Sequence, residues 1–300
     1  MAPVLVVNAD DLGVTRGATL GVIRAHREGI VTSASLAVTT PFYGHALETC
    51  VRTCRDLGVG LHFTLTSGRP ASDARDVPLL VDRHGFFRWR FLPLLVATRG
   101  AQRSELLRQV GTELESQITR LIGDGVRPDH IDGERHVHLI PGIFERVVEA
   151  ARRHGVPFVR AGEDIGRRFL TGAHRLGLVA SGGVLKSWLL SRLVSGNRRC
   201  LDARVRSADY VASYLYSGRS DLFIERLVNG EAIDGVTEVM VHPGVPEESA
   251  GAVLGNQALE RYLVSEHRRL EMNACIAARP LAARWQLMSY RRLAEETAPR

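Results

Sequence analysis

Residues 3–39 read PVLVVNADDLGVTRGATLGVIRAHREGIVTSASLAVT. A short apolar run, Pro3–Asn8, gives way to a helical pattern over Gly17–Glu28, and a second apolar run follows at Ser35–Thr39. Short apolar runs separated in this way predict parallel strands joined by crossover helices. The alternation continues outward along the chain. Further strands are expected at Gly58–Phe63, His130–Asp132, Pro157–Val159, Asp209–Ser213, Glu238–Val241 and Gln286–Ser289. Helices are expected near Gly44–Arg55, Arg103–Gly123, Gly142–His154, Asp221–Val228 and Leu259–Ala277. Strands alternating with helices over this length predict an α/β fold, a TIM-barrel-like (β/α) barrel of regular or irregular form. A doubly wound open sheet is the runner-up. No repeat, low-complexity tract or linker divides the chain, so residues 1–300 are expected to act as a single domain.

Two segments break the alternation. Ser67–Arg99, rich in Pro, Gly and Arg, is expected to be a long loop over one face. Gly162–Arg206 carries an apolar stretch, Val184–Val194, with arginines on both flanks, and is expected to be a helical insertion. It reads as a lid or a partner-facing helix, and in a sharper reading as a surface that touches a lipid-like substrate.

Composition narrows the class. Hydrophobic residues at 45% and charged residues at 24% are those of an ordinary soluble globular protein. The net charge of +6 is almost all arginine, Lys186 being the only lysine. Those arginines are spread along the chain and are not interleaved with aromatics, so nucleic acid is not expected as a partner. Met1–Val7 shows no basic region or cleavage site, and no apolar stretch is long enough to span a bilayer. Cys50, Cys54, Cys200 and Cys275 form no CxxC pair, which leaves a thiolate zinc site or redox motif unsupported. A cytoplasmic location is the expectation.

The chemistry gathers where apolar runs end. The first strand finishes in Asn8-Ala9-Asp10-Asp11-Leu12-Gly13. Ionised groups at the rim of a core are costly without a cation or donors nearby. One carboxylate of the pair could hold a metal while the other faces a water or substrate; the plainer alternative is a helix cap at Asp11 with Asp10 solvated. His62 is a single imidazole in the apolar run Val59–Leu65, and it would finish on the same face of a parallel sheet as the Asp pair. The densest cluster is PDHIDGERHVHLIP at 128–141, with His136 and His138 spaced to point the same way in an extended segment. Imidazoles and carboxylates at a strand end suit a divalent ion. Last, Val239-Met240-Val241-His242-Pro243-Gly244 ends an apolar run in a histidine, a candidate general acid or oxyanion stabiliser. The GGVLKS run at 182–187 lacks the glycine that a phosphate loop needs before its lysine.

VNADDLG at 7–13, EGIVTSASL at 28–36, GLHFTLTSGRP at 60–70, HIDGERHVHLIP at 130–141 and MVHPG at 240–244 resemble, in order and spacing, the YdjC-like carbohydrate deacetylases. That family includes chitooligosaccharide deacetylases and a hopanoid-biosynthesis branch. The resemblance covers nearly the whole chain. It implies a TIM-barrel-like fold and removal of an N-acetyl group from an acetylated amino sugar, free or lipid-linked, with a divalent ion such as Mg²⁺, Zn²⁺ or Mn²⁺. Carried over by position, Asp11 and His62 would be metal ligands and Asp10 the general base. The family usually supplies a histidine where this chain has Glu134, so Glu134, His136 or His138 is left to complete the metal site. Glutamate there would favour harder, oxygen-seeking ions. His242 or His136 would donate a proton to the leaving amine, and Arg69, Arg135 and His136 would contact the sugar. Rival expectations are a metal-dependent amidase or esterase on another glycoconjugate, and a sugar-binding protein whose catalysis has lapsed. A homodimer is a candidate assembly.

Overall fold

The structure, a computed structural model, describes residues 3–171, 182–230 and 233–297. Its backbone is a nine-stranded parallel sheet wrapped by helices. In chain order come β1 (Val4–Leu12), α1 (Arg16–Arg27), β2 (Ser33–Leu36), α2 (Tyr43–Ala46), β3 (Gly58–Phe63), α3 (Phe91–Ala97) and α4 (Arg103–Gly123). There follow β4 (His130–Gly133), α5 (Ile143–His154), β5 (Phe158–Val159), β6 (Glu163–Asp164), α6 (Gly183–Asn197), β7 (Tyr210–Val211), α7 (Ile224–Asn229) and β8 (Val236–Val241). The chain ends with α8 (Gln257–Leu263), α9 (Glu266–Ala277), β9 (Gln286–Leu287) and α10 (Tyr290–Glu296).

Strand order is β5-β4-β3-β2-β1-β8-β7-β6, with β9 pairing to β1. A single parallel bridge, Phe158 to Arg206, links β5 to the segment that leads into β7. The sheet therefore curls into an irregular, TIM-barrel-like form. Among the described residues no helix is long and apolar enough to cross a membrane.

The alternation of side chains along β1 divides the interior. Leu5, Val7 and Ala9 join the large core between sheet and helices. Val4 and Val6 face the other way, into a smaller cluster with Phe158, Met288, Tyr290 and Leu293 that fills one end of the curled sheet. On that same inward face, Asn8 and Asp10 continue toward the strand ends as a buried polar tier.

Several elements differ from the sequence expectation for identifiable reasons. The helix expected over Gly44–Arg55 is regular only at α2 and then widens over Leu47–Val51, where the hydroxyls of Thr49 and Thr53 donate to the carbonyls of His45 and Thr49. The helix expected over Leu259–Ala277 breaks in two, because Ser265 takes an extended conformation ahead of α9. The loop expected over Ser67–Arg99 contains α3. The insertion expected over 162–206 contains α6; its residues 172–181 lie outside the described residues.

Candidate functional site

The site begins with a backbone irregularity. Neighbouring residues of a strand face opposite sides, so Asp10 and Asp11 cannot share a face in regular β structure. The register of β1 against β2 shifts between Ala9 and Leu12, and Asp11 takes a left-handed φ of 65°. This bulge turns Asp11 so that both carboxylates line one cavity at the C-terminal strand ends.

Asp10 is gripped by Arg160, which follows β5. The guanidinium donates from Nη1 to Oδ2 at 2.8 Å and from Nη2 to Oδ1 at 2.7 Å. Its Nη2 also lies 2.6 Å from Asp132 Oδ2, and its Nε donates to Glu238 Oε1 at 2.7 Å. Three buried carboxylates thus share one fully buried cation, which they hold firmly in its charged form against the cost of burial. The hydroxyl of Tyr290 donates to the remaining oxygen of Glu238 at 2.7 Å.

His62 stands between two carboxylates. Its Nδ1 is 2.7 Å from Asp132 Oδ1 and its Nε2 is 3.5 Å from Asp11 Oδ1. Burial opposes a charge on the ring, but Asp132 and Asp11 outweigh it and raise its pKa well above the ordinary histidine value. Asp11 is also buried against its charge, yet His62 and the guanidinium of Arg268 hold its carboxyl well below the usual range. Arg268, on α9, donates to Asp11 Oδ2 at 2.7 Å. The break at Ser265 starts the helix that presents it.

Glu134 follows β4. Its Oε2 accepts from the Thr66 hydroxyl at 2.6 Å, while buried Oε1 has no hydrogen-bond partner. Burial pushes its carboxyl up, against Thr66 and Arg135. The next two residues, Arg135 and His136, both take left-handed φ values, 52° and 63°. Such strain costs about 1–3 kcal/mol per residue and persists where surroundings impose it. Here it turns His136 into the cavity, edge-on to Tyr214 at 5.2 Å, with its Nδ1 unpartnered. Burial lowers the His136 pKa well below its ordinary value.

Across the cavity, the His242 backbone donates to Glu271, and the ring Nδ1 lies 3.4 Å from the same carboxylate oxygen. Burial works against a charge on this ring, but Glu271 overcomes it and raises the pKa.

The cavity, about 230 Å³, thus brings together Asp10, Asp11, His62, Glu134, Arg135, His136 and His242 of the expected site residues. It leaves out two. Arg69 lies over the Phe86 ring at 4.3 Å and donates to the His84 carbonyl, away from the cavity. His138 is buried behind the site with Nε2 2.9 Å from the Arg160 carbonyl, because the two left-handed residues break the extended spacing that would have aligned it with His136. Burial lowers its pKa to about 3.

Metal-ligating donors are present. Asp10, His62 and Asp132 place one ligand atom each within 4.8 Å of one another, a buried Asp-His-Asp cluster suited to a divalent ion. Asp132 Oδ1 also fixes one ring nitrogen of His62, which leaves the other to ligate, and Glu134 Oε1, in the lining of the same cavity as His62, has no hydrogen-bond partner.

Residues 4–282 match the model of a family described as YdjC-like protein. The chain belongs to the YdjC-like family. Among curated YdjC-like relatives, a carbohydrate deacetylase of Brevibacillus brevis is 39% identical over 155 residues, 51% of this chain and 57% of that one. A chitooligosaccharide deacetylase of Proteus mirabilis is 38% identical over 159 residues, 52% and 58% of the two chains. The match thus spans somewhat over half the length of these relatives. A carbohydrate deacetylase of Clostridium beijerinckii is 29% identical over 248 residues, 78% and 95% of the two. A solved structure from Enterococcus faecalis, titled a putative cellobiose-phosphate cleavage protein, superposes with a TM-score of 0.68 at 24% identity, covering 98% and 99%, and shows that this YdjC-like chain shares its fold.

Reading sequence alone missed several site residues. Glu238 carried the same signal as His62, a lone ionisable group in an apolar run. Arg160 ends such a run as well. Arg268 and Glu271 lie in ordinary helical sequence with nothing to mark them.

Proposed function

We propose that this chain is a metal-dependent carbohydrate deacetylase that hydrolyses the acetamide of an N-acetylated amino sugar, with residues 1–300 acting as one catalytic unit. The observation that carries the reading is that Asp10, Asp11, His62, Glu134 and His242 line one cavity. Relatives named as carbohydrate and chitooligosaccharide deacetylases support it.

Two sides of His62 offer donors. On the Nδ1 side, Asp10 and Asp132 already share the Arg160 guanidinium. The Nε2 side faces Asp11, in the cavity that Glu134 also lines. We therefore assign the ion to Asp11, His62 and Glu134, with Asp132 fixing the ring. One nitrogen and two carboxylate donors suit magnesium or manganese, with zinc next. When bound, the ion supplies polarisation of the acetamide carbonyl and acidification of a water.

The side chains divide the proton work. Asp10 Oδ1 accepts from both Asn8 and Arg160, whereas Oδ2 accepts only from Arg160 and keeps a lone pair for the proton of the attacking water. The water oxygen bonds to the carbonyl carbon, the carbon–nitrogen bond breaks, and His242 gives its proton to the leaving amine; acetate and the free amino sugar result. Arg135 and His136 line the space left for the sugar.

A lipid-linked form of the substrate is favoured by a second cavity of about 370 Å³. It is lined by Phe91, Leu92, Leu185 and Leu189 and shares Arg135 and Lys186 with the polar one. An apolar aglycone would lie there while the sugar enters the site. Four free cysteines suit a reducing compartment, and we place the protein in the cytoplasm.

The test is acetate release from acetylated amino sugars, soluble and lipid-linked, with Mg²⁺, Mn²⁺ or Zn²⁺. Asp10→Asn should lower turnover by roughly 100-fold or more with bound metal retained. A near-normal rate removes Asp10 as the base, and no release from any acetylated sugar ends the reading.

A further inference from the structure

Among the described residues few large apolar side chains are strongly exposed, and several of them gather on two helices. On α3, Leu92 is 60% exposed and Val96 69%; on α6, Leu185 is 69% and Trp188 52%. Each pair sits one turn apart, so each helix presents a continuous apolar stripe. The two stripes are neighbours, because Leu92 and Leu185 line the same apolar cavity. Between them the groove runs to Arg135 and Lys186, which also line the polar cavity.

Charge within the two segments that carry the stripes has one sign. Residues 83–104, which contain α3, hold Arg83, Arg88, Arg90, Arg99 and Arg103 and no acidic residue. Residues 182–201, which contain α6, hold Lys186, Arg192, Arg198 and Arg199 and again no acidic residue. Glu163 and Asp164 line a separate cavity with Trp188, where Asp164 is tied to the Ser187 hydroxyl and the Gly166 amide and Arg167 and Arg192 stand beside the two acids. Apolar stripes rimmed by arginine match a membrane interface, where apolar side chains enter the acyl boundary and cations meet anionic headgroups.

We propose that α3 and α6 form a docking surface for an anionic phospholipid bilayer, which seats the mouth of the cavity at the headgroup level. Binding to a bilayer is read without turnover, so the deacetylase reading and this one can fail independently.

The full chain is sedimented with vesicles of phosphatidylcholine alone and of phosphatidylcholine mixed with phosphatidylglycerol. Binding to the anionic vesicles should be at least about 10-fold stronger than to the neutral ones and should weaken as salt is raised. Val96→Asp with Trp188→Asp, neither of which lines either cavity, should lose at least about 10-fold of that binding while thermal midpoint and turnover of a soluble sugar stay unchanged. Trp188→Phe should still bind but should lose most of the fluorescence quenching by bromine-labelled acyl chains. Equal binding to both vesicle types, binding indifferent to the double substitution, or quenching retained in Trp188→Phe overturns the proposal. So does a dimer, detected by light scattering, that the double substitution dissociates, since the face would then belong to a second copy.

Discussion

Asp132 never reaches the cavity wall, yet it decides how His62 is presented. Its Oδ1 fixes the ring nitrogen that faces away from the cavity, while its Oδ2 is held by Ser35 at 2.7 Å and by Arg160. With the ion assigned to Asp11, His62 and Glu134, Asp132→Asn should weaken metal affinity by roughly 10–100-fold, measured by titration of the metal-free protein. Unchanged affinity would mean that the ion does not use His62. Lys186 makes a different prediction. Burial first, and Arg135 second, lower its ammonium from 10.5 to about 8. The folded protein thus releases this proton earlier than the unfolded chain, and between about 8 and 10.5 stability gains as pH rises, the penalty for the buried charge applying in full below that window. Because it is the only lysine, acylation of its peptide can be followed by mass. Reactivity should rise with a midpoint near 8; a midpoint near 10.5 would show an ordinary, solvated amine.

At the scale of elements, α1 determines where His242 stands. A Cβ on Gly21 would come within 2.4 Å of the Gly244 backbone, and one on Gly17 within 2.1 Å of the Val245 carbonyl oxygen. The helix is thus pressed directly against the Pro243–Gly244 turn that leaves β8. Its start is fixed by Thr15, whose hydroxyl accepts from the Ala18 amide at 2.8 Å. Gly21→Ala should cost about 1–3 kcal/mol of stability and should also lower turnover by displacing His242. Denaturant unfolding and acetate release check the two halves; full activity at reduced stability would remove His242 from the proton path. The elements themselves were legible where periodicity was strong, as in α4 and α5, whose bounds fall close to those read from the sequence. They were less legible where a local hydrogen bond competes with the regular pattern. The hydroxyls of Thr49 and Thr53 redirect one helix that apolar spacing alone would have continued, and the extended backbone of Ser265 breaks another.

Across the whole molecule, the site assembles from both ends of the chain and its middle. His62 and the Asp10–Asp11 pair could be read from the sequence because each interrupts or ends an apolar run, where a charge needs a reason, and Glu134 because it sits in the dense titratable cluster at 128–141. Arg160 and Arg268 could not be singled out among so many arginines: Arg268 is fully buried while its neighbour Arg269 pairs at the surface with Glu247 and Glu266, and one step of helical rotation separates them. The bulge at Asp11 was equally hidden, since nothing in the residue types announces a left-handed aspartate. A cation held among buried acids ties metal binding to folding. Chelation should lower the thermal midpoint and re-addition restore it, by about 2.7 kcal/mol when the ion stands at a hundredfold its dissociation constant. An unchanged midpoint would mean that no ion occupies the folded state.

The segment from β9 into α10 underlies this arrangement. Gln286 and Leu287 pair with the start of β1, and Tyr290 reaches Glu238, which holds the guanidinium that holds Asp10. On the ribosome, the first strand emerges early but cannot find this floor until some 280 further residues have been made. A nascent chain stalled before Tyr290 would carry its acids without their full set of partners, so competence should arrive all at once, when Tyr290 has emerged.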